Sequence, residues 1–467
     1  MSSPNTHYGA AAIASMLDGV RAVYFLGIGG VSMSSLAMMT ARRGLRVGGY
    51  DRTRTPVTDA LEAEGIVVHD REDIAHLDGY GAVVYTVAIA ESHPEYVEAQ
   101  RRGLPLISRA DYLGYLMTDY AARIGFSGSH GKSTATCMCA QILLSAEADP
   151  TVLSGAAMRS LGGAYRLGGR ETMVFEACEY KDSFLDFNPT VSVVLNVEMD
   201  HVDYFHSMEQ MRASFAAFAN RAGENGTVLY NADDAETLRA LTSVRARRVT
   251  FGVNADADYR AIGVRVEGGF ASFTLMHHGE ALGKITLRVP GAHNVYNALA
   301  AAAAARECGI CSRDIVRGLE AFTGASRRME YKGRLGGAAV YDDYGHHPTE
   351  VEATLREAGQ LGRGRLICAF QPHTYSRTAA LFDRYVEALS ISDEVIIAPI
   401  YAARETDTLG MSARCLAEAV GKGARGYETM DEVADALVSC VAPGDTVVVM
   451  GAGNIDGIFK VLPLEDV

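Results

Sequence analysis

The chain has 467 residues, 48% of them apolar and 21% charged, with a formal net charge of −14 and a pI near 5.4. At roughly 100–200 residues per domain, that length suggests about three domains of ordinary globular composition. The acidic balance excludes a broad nucleic-acid footprint, which needs a basic face, but leaves room for an anionic small ligand held by backbone dipoles and a few cations.

The stretch Met1 to Val20 lacks the basic start and apolar run of an export signal. A reducing, cytoplasmic setting is therefore expected for the eight scattered cysteines. The run Ala22 to Leu26 reads as a strand ending in Gly27-Ile28-Gly29-Gly30. A helix is predicted from Met33 to Arg43, then a strand from Arg46 to Tyr50 that ends at Asp51. Further strand signals lie at Val83 to Val87, and Leu104 to Met117 reads as the last strand and helix of the unit. This alternation implies a parallel sheet with helices on its faces. A glycine-rich turn between strand and helix suits a nucleotide diphosphate. Gly27, Gly29 and Gly30 supply it, Ser32 stands where dinucleotide sites prefer a third glycine, and Asp51 stands where a ribose hydroxyl partner would sit. NAD and UDP are not separated by the turn alone, and a tight turn without a ligand has the same pattern.

A second alternating region begins near Asp119. The strand Ala122 to Phe126 leads into Gly128-Ser129-His130-Gly131-Lys132-Ser133-Thr134 and a helix to Leu144. A strand, a glycine loop and a helix are the context of a P-loop. There the loop N–H groups and helix N-terminus cradle phosphates, Lys132 reaches the β- and γ-phosphates, and the Ser133 hydroxyl helps hold Mg²⁺. Phe126 occupies the position of the usual first glycine, so the loop is a variant. Strands are predicted at Thr172 to Ala177, Val191 to Val197 and Thr227 to Asn231. Acidic clusters follow two of them: Glu176-Ala177-Cys178-Glu179, and Glu198-Met199-Asp200-His201. Ligands of open α/β sheets bind outside the carboxyl ends of strands. Carboxylates and an imidazole there suit Mg²⁺ or Mn²⁺, although capping and solvated turns use the same residues. Ala261 to Val289 reads as antiparallel hairpins. His293-Asn294-x-x-Asn297 then opens an alanine-rich helix, with both asparagines on one face for a base edge or a cap. Ala298 to Ala305 is too short to span a bilayer. Cys308 and Cys311, a lone C-x-x-C, read as a packed helix end.

A third region starts near Ser326, with parallel strands predicted at Val340 to Asp343, Arg365 to Phe370, Glu394 to Ala398 and Thr446 to Met450. Two polar, aromatic segments follow strands: Asp342-Asp343-Tyr344-Gly345-His346-His347 and Gln371-Pro372-His373-Thr374-Tyr375-Ser376-Arg377. An arginine there could fork onto a carboxylate, and adjacent histidines could exchange protons near neutral pH. The domains are thus expected at 1–118, 119–325 and 326–467.

In chain order the segments GIGGVSMSSLA at Gly27, GSHGKST at Gly128, EACEYKDSF at Glu176, NVEMDH at Asn196, HNVYNALAA at His293, RRMEYKG at Arg327, DDYGHHPTE at Asp342 and QPHTYSRT at Gln371 resemble the Mur ligases over roughly Val23 to Asp456. The resemblance implies an α/β chain of three domains: a Rossmann-like N-terminal domain for a UDP-sugar, a central P-loop ATPase-like domain and a Rossmann-like C-terminal domain. It implies an ATP-dependent, ADP-forming ligase of peptidoglycan precursor synthesis that acts through an acyl phosphate. UDP-N-acetylmuramate and L-alanine are the expected small-molecule substrates, in a monomer or homodimer without nucleic acid or membrane insertion.

The resemblance also implies site roles. Gly128 to Thr134 would hold the ATP phosphates, with Lys132 catalytic. Ser133, Glu176 and His201 would hold the metal. His293, Asn294, Asn297, Arg328 and Asp343 would contact the nucleotide, and His346, His347 and Arg377 the substrate beside the incoming amino acid. Family P-loops commonly read GTHGKT, so Ser129 and Ser133 replace threonines and keep both hydroxyls. Many relatives have glycine at Ser32, and some have arginine at Thr374. No counterpart of the carbamylated lysine of other Mur ligases is evident, which fits the alanine-adding branch. Two other readings remain: a ligase that adds a peptide or another amino acid, and a non-catalytic sensor of UDP-sugar and ATP.

Overall fold

The computed structural model of the chain describes residues 4–201, 204–403, 405–421 and 423–465. Its strands form three sheets. The first contains β1 (Ala22–Leu26), β2 (Arg46–Tyr50), β3 (Val67–His69), β4 (Ala82–Tyr85) and β5 (Leu106–Ser108), all parallel, in the order β3-β2-β1-β4-β5. β1 is buried along its whole length, as an apolar run in a sheet covered on both faces must be. The order reverses between β1 and β4, so the glycine turn after β1 opens at a switch point, where ligand crevices form.

The second sheet has ten strands: β6 (Ala122–Ser127), β7 (Thr151–Met158), β8 (Gly163–Arg166), β9 (Thr172–Glu176), β10 (Val191–Val194), β11 (Thr227–Asn231), β12 (Arg247–Gly252), β13 (Tyr259–Glu267), β14 (Phe270–His277) and β15 (Glu280–Pro290). Their order is β15-β14-β13-β12-β11-β10-β6-β9-β7-β8. β6 lies between β9 and β10, parallel to both. The three loops that leave their carboxyl ends therefore meet at one edge. The predicted hairpins are β13 to β15, paired antiparallel. Half of the fourteen residues of the helix Asn294–Glu307 are alanine, and residues 298–305 are all fully buried. Their small side chains let it pack closely on the helix Lys132–Ser145.

The third sheet contains β16 (Glu330–Leu335), β17 (Ala338–Asp343), β18 (Leu366–Phe370), β19 (Glu394–Ile397), β20 (Arg425–Gly426) and β21 (Thr446–Met450), in the order β16-β17-β21-β18-β19-β20. Only β16 pairs antiparallel. Sequence periodicity does not reveal β3, β7, β8, β12, β16 or β20. β3, β8, β16 and β20 are edge strands, and the interior β7 and β12 have mixed exposure, so none needs a continuous apolar run.

One apolar cluster joins the first two sheets. Val23 and Phe25 of β1 belong to the same core as Phe175, Phe184 and Phe215, with Tyr112 and Leu116 of the helix Arg109–Met117 between them. The third sheet has its own cores on its two faces. Among the described residues no helix is long and apolar enough to cross a membrane. Cys308 ends the helix Asn294–Glu307 and Cys311 caps the helix Ser312–Ala321, both as free thiols.

Candidate active site

β6 runs one residue beyond its apolar pattern, so Phe126 is a fully buried strand residue and the loop proper begins at Gly128. Gly128 has φ 142° and Gly131 φ 84°, a region that side chains disfavour. A Cβ at Gly131 would lie 2.5 Å from Asn297 Oδ1. The helix Lys132–Ser145 starts here, and its first-turn N–H groups have no partner within the helix and can serve phosphate oxygens.

Lys132 Nζ donates to the carbonyls of Gly128 at 2.6 Å and Ser129 at 3.1 Å, and lies 3.1 Å from Glu179 Oε2. Burial works against its charge. The fully buried Glu179 carboxylate outweighs that and holds the ammonium above its ordinary range. Ser133 Oγ donates to Glu176 Oε2 at 2.6 Å, and the Gly155 N–H donates to the same oxygen at 3.0 Å. Asn196 pins the end of β10 to the loop: its Oδ1 accepts from the His130 N–H at 2.8 Å and its amide donates to the His130 carbonyl at 3.1 Å. That brings in His201, whose Nε2 lies 3.6 Å from Glu179 Oε1 and whose ring centroid is 4.7 Å from that of Tyr180. Ser133, Glu176 and His201 are thus gathered around Lys132 and Glu179. Hydroxyl and carboxylate oxygens suit Mg²⁺, and a nearby imidazole suits Mg²⁺ or Mn²⁺.

Beside the loop is a cleft of about 360 Å³, lined in part by His130, Gly131, Thr134, His293, Asn294, Asn297, Arg328 and Asp343. These residues come from four separate segments, all of them singled out by sequence. Asn294 is not a cap, because His293 precedes the helix and Asn294 is its first residue. Its amide donates to the Pro290 carbonyl at 2.6 Å, and Asn297 donates to Asn294 Oδ1 at 2.8 Å. Arg328 reaches from the third domain to Ser133 Oγ at 3.3 Å. Asp343 accepts from the N–H groups of Met329 at 2.9 Å and Gly345 at 2.8 Å, while burial pushes its carboxyl above the usual range.

A second polar group faces the central sheet from the third. Arg377 donates to Asp200 Oδ1 at 3.0 Å and lies 3.4 Å from His201 Nδ1 and from His373 Nδ1. Thr374, just before it, has φ 65°, a strained conformation for a β-branched residue. Burial lowers His346 and His373 to about 4 and also lowers His347, so all three rings are neutral at pH 7. His347 caps the helix Pro348–Leu361 through Nδ1, and its buried Nε2 has no protein partner among the described residues.

His130 joins the two domains across this edge. Its Nε2 is 2.9 Å from Glu198 and its Nδ1 3.2 Å from Glu350. Glu198 also accepts from Thr349 at 2.6 Å and from Arg384 at 3.0 Å. Burial disfavours the imidazolium, but Glu198 and Glu350 outweigh it and raise His130 to about 9. A raised folded-state pKa gives stability that is complete below the free value near 6.5 and is lost as pH climbs through about 9. His130→Gln, which cannot titrate, should therefore flatten the fall of melting temperature between those pH values. Parallel wild-type and variant curves would exclude this role.

Gly27, Gly29, Gly30, Ser32 and Asp51 lie at the carboxyl edge of the first sheet and do not line the cleft. Asp51 folds back on the turn, where its Oδ2 accepts from the Gly29 N–H at 2.9 Å. Ser32 Oγ accepts from Arg109 at 3.1 Å.

Sequence reasoning did not foresee the pairing of Glu179 with Lys132, of Asp200 with Arg377, or of Glu198 and Glu350 with His130. Glu179, Glu198 and Asp200 stood only within acidic clusters. Arg109 carried no motif at all.

Family models match most of the chain: the Mur ligase family catalytic domain over residues 22–121, the Mur ligase middle domain over 126–305 and the Mur ligase glutamate ligase domain over 327–453. The chain is similar to a UDP-N-acetylmuramate–L-alanine ligase of Lachnospira eligens, 41% identical and covering 93% of this chain and 96% of that one. It is also similar to one of Caldicellulosiruptor saccharolyticus, 39% identical over 94% and 97%. Among solved structures, the UDP-N-acetylmuramate-alanine ligase of Thermotoga maritima matches with a TM-score of 0.78 at 26% identity, over 94% of this chain and 97% of that one. A murein peptide ligase of Psychrobacter arcticus shares the fold, with a TM-score of 0.72 at 23% identity.

Proposed function

Since the chain belongs to the Mur ligase family, we propose that it joins L-alanine to the carboxylate of UDP-N-acetylmuramate, with ATP converted to ADP and phosphate, in peptidoglycan precursor synthesis. The observation that carries this reading is the convergence of Lys132, Ser133, Glu176 and His201 at one sheet edge, next to a cleft that also presents Asn294, Asn297 and Asp343.

A carboxylate is a poor acyl donor to an amine. Phosphorylating it with the ATP γ-phosphoryl group gives an acyl phosphate. The amine then attacks the acyl carbon, the C–N bond forms, phosphate leaves and the amine loses a proton. The protein's work is alignment and charge placement. The ammonium of Lys132, kept charged by Glu179, faces the moving phosphoryl group. Asn294, Asn297, His293, Arg328 and Asp343 hold the nucleotide. Ser133, Glu176 and His201 would hold Mg²⁺, or Mn²⁺, which offsets phosphate charge when bound. Arg377 and the neutral His346 and His347 border the amino-acid side. Their low proton affinity makes them weak bases, so they suit positioning the uncharged amine better than stripping an ammonium. Sugar-nucleotide binding, ATP binding and amino-acid binding are assigned in this reading to residues 1–118, 119–325 and 326–467, in that order.

Purified protein with Mg²⁺ and UDP-N-acetylmuramate should form ADP when L-alanine is added, and far less with a peptide or other amino acids. EDTA should stop the reaction. ATP binding without ADP formation would favour the sensor reading, and a preference for peptides would favour the other ligase reading.

A further inference from the structure

We propose that His130, Glu198 and His347 form a site for a zinc-class divalent cation that clips the third domain to the phosphate loop. Among the described residues these are the one set of three histidine, cysteine or acidic side chains whose ligand atoms, one from each, lie within 4.8 Å of one another. The set shares no member with Ser133, Glu176 and His201. Two ring nitrogens and one carboxylate, with a fourth position left for water, suit zinc better than Mg²⁺, which is bound chiefly by oxygens.

The two donors of the central domain are held by partners outside the set. Glu198 Oε1 accepts from Thr349 at 2.6 Å and from Arg384 at 3.0 Å, which leaves Oε2 facing His130 Nε2 at 2.9 Å. His130 Nδ1 faces Glu350 at 3.2 Å. Metal-bound histidines commonly use such a carboxylate to fix the ring and its tautomer. A divalent ion would take the place of the proton between His130 and Glu198. Ligand atoms about 2.0–2.2 Å from zinc stand about 3.3 Å apart in a tetrahedron, close to the present spacing.

The third donor is what an ion pair alone leaves unexplained. His347 is fully buried, and its Nε2 has no partner among the described residues. Buried polar groups are rarely left so. With Nδ1 accepting from the Thr349 N–H at 3.4 Å, Nε2 carries a hydrogen that no described atom receives. Shifting that proton to Nδ1 gives up only a long contact and frees an Nε2 lone pair, the form a metal needs. Burial also keeps this ring neutral. Its centroid is 5.2 Å from that of His130. Because His130 and Glu198 belong to the central domain and His347 to the third, an ion held by all three bridges the lobes.

The test takes the full chain, stripped of metal, as wild type, Glu198→Gln, His347→Gln and Glu176→Gln. Zn²⁺ affinity is read by competition with a chromophoric chelator, and melting temperature is recorded with and without Zn²⁺. Wild type should bind Zn²⁺ in the presence of a large excess of Mg²⁺ and melt later for it. Loss of an outer partner typically weakens a metal site by about 10–100-fold, so loss of a ligand in Glu198→Gln or His347→Gln should cost about a hundredfold or more. Glu176→Gln, in the other cation group, should leave Zn²⁺ affinity nearly unchanged. Unchanged affinity in Glu198→Gln overturns the proposal, since the ion then sits on thiols or other histidines. An equal loss in Glu176→Gln overturns it too, placing the ion beside Ser133. A loss in Glu198→Gln without one in His347→Gln removes the bridge between lobes. X-ray absorption of the wild-type Zn²⁺ protein counts imidazole ligands without any substitution, so it decides the matter if a variant fails to fold. It should find two imidazoles and no sulfur, and one imidazole or none overturns the site.

Discussion

Replacing Lys132 with alanine is expected to lower ligase turnover by about a thousandfold or more. A preorganised cation facing charge that develops in the transition state is worth a few kcal/mol of barrier. The same change has a second effect. Glu179 is fully buried and has Lys132 as its nearest cation. Removing one partner of a buried pair costs about 3–5 kcal/mol, because the other charge is left uncompensated. Lys132→Ala should therefore also melt earlier than wild type. Adding Glu179→Gln should restore much of the melting temperature and none of the turnover. ADP release and thermal melts on the three proteins separate the two effects. Turnover near normal in Lys132→Ala would overturn the assignment of the loop.

Arg377→Ala is expected to raise KM for L-alanine by about tenfold or more, with KM for ATP nearly unchanged. Arg377 is 7% exposed, and its guanidinium bridges Asp200 and the His201 ring across the domain boundary. It can meet an amino-acid carboxylate only from a position that Asp200 fixes. Burial pushes the Asp200 carboxyl up, but His201 and Arg377, with His346 and His347, outweigh it and hold the group well below the usual range. Loss of the arginine would leave that charge exposed to the incoming amino acid and repel its carboxylate. Arg377→Lys should recover part of the charge but not the fork geometry. Initial rates against L-alanine concentration provide the check. An unchanged KM with a lower kcat would place the residue in the chemical step instead.

The sequence made the central strands, the glycine loops and the residues of the cleft legible, for a physical reason. Buried parallel strands must be apolar runs, and phosphate loops need glycine and lysine at fixed spacing. β1, β2, β11 and β21 fall where the pattern put them. Charge pairing was not legible. Glu176 and Glu179 stand three apart in one cluster, yet Glu176 takes the Ser133 hydroxyl and Glu179 the Lys132 ammonium. Which carboxylate meets which cation depends on how β9 and the segment after it approach the loop. No local spacing encodes that. Glu350 is a clearer case: it lies 220 residues from His130 and belongs to another sheet's helix. Its motif marked the segment, and only the fold supplied the partner.

The unbroken apolar core between the first two sheets has a mechanical consequence. Two lobes that share Tyr112, Phe175 and Phe184 cannot part without wetting a hydrocarbon interior. The third lobe faces the catalytic cleft through polar contacts: the part-exposed Arg384–Glu198 pair is one that water can replace at little cost, while Arg377–Asp200 is buried. Opening of the cleft is therefore expected to move that lobe against the other two. Lys132, Ser133, Glu176 and His201 all lie at the edge of the central sheet, so their spacing is expected to hold while the lobe moves.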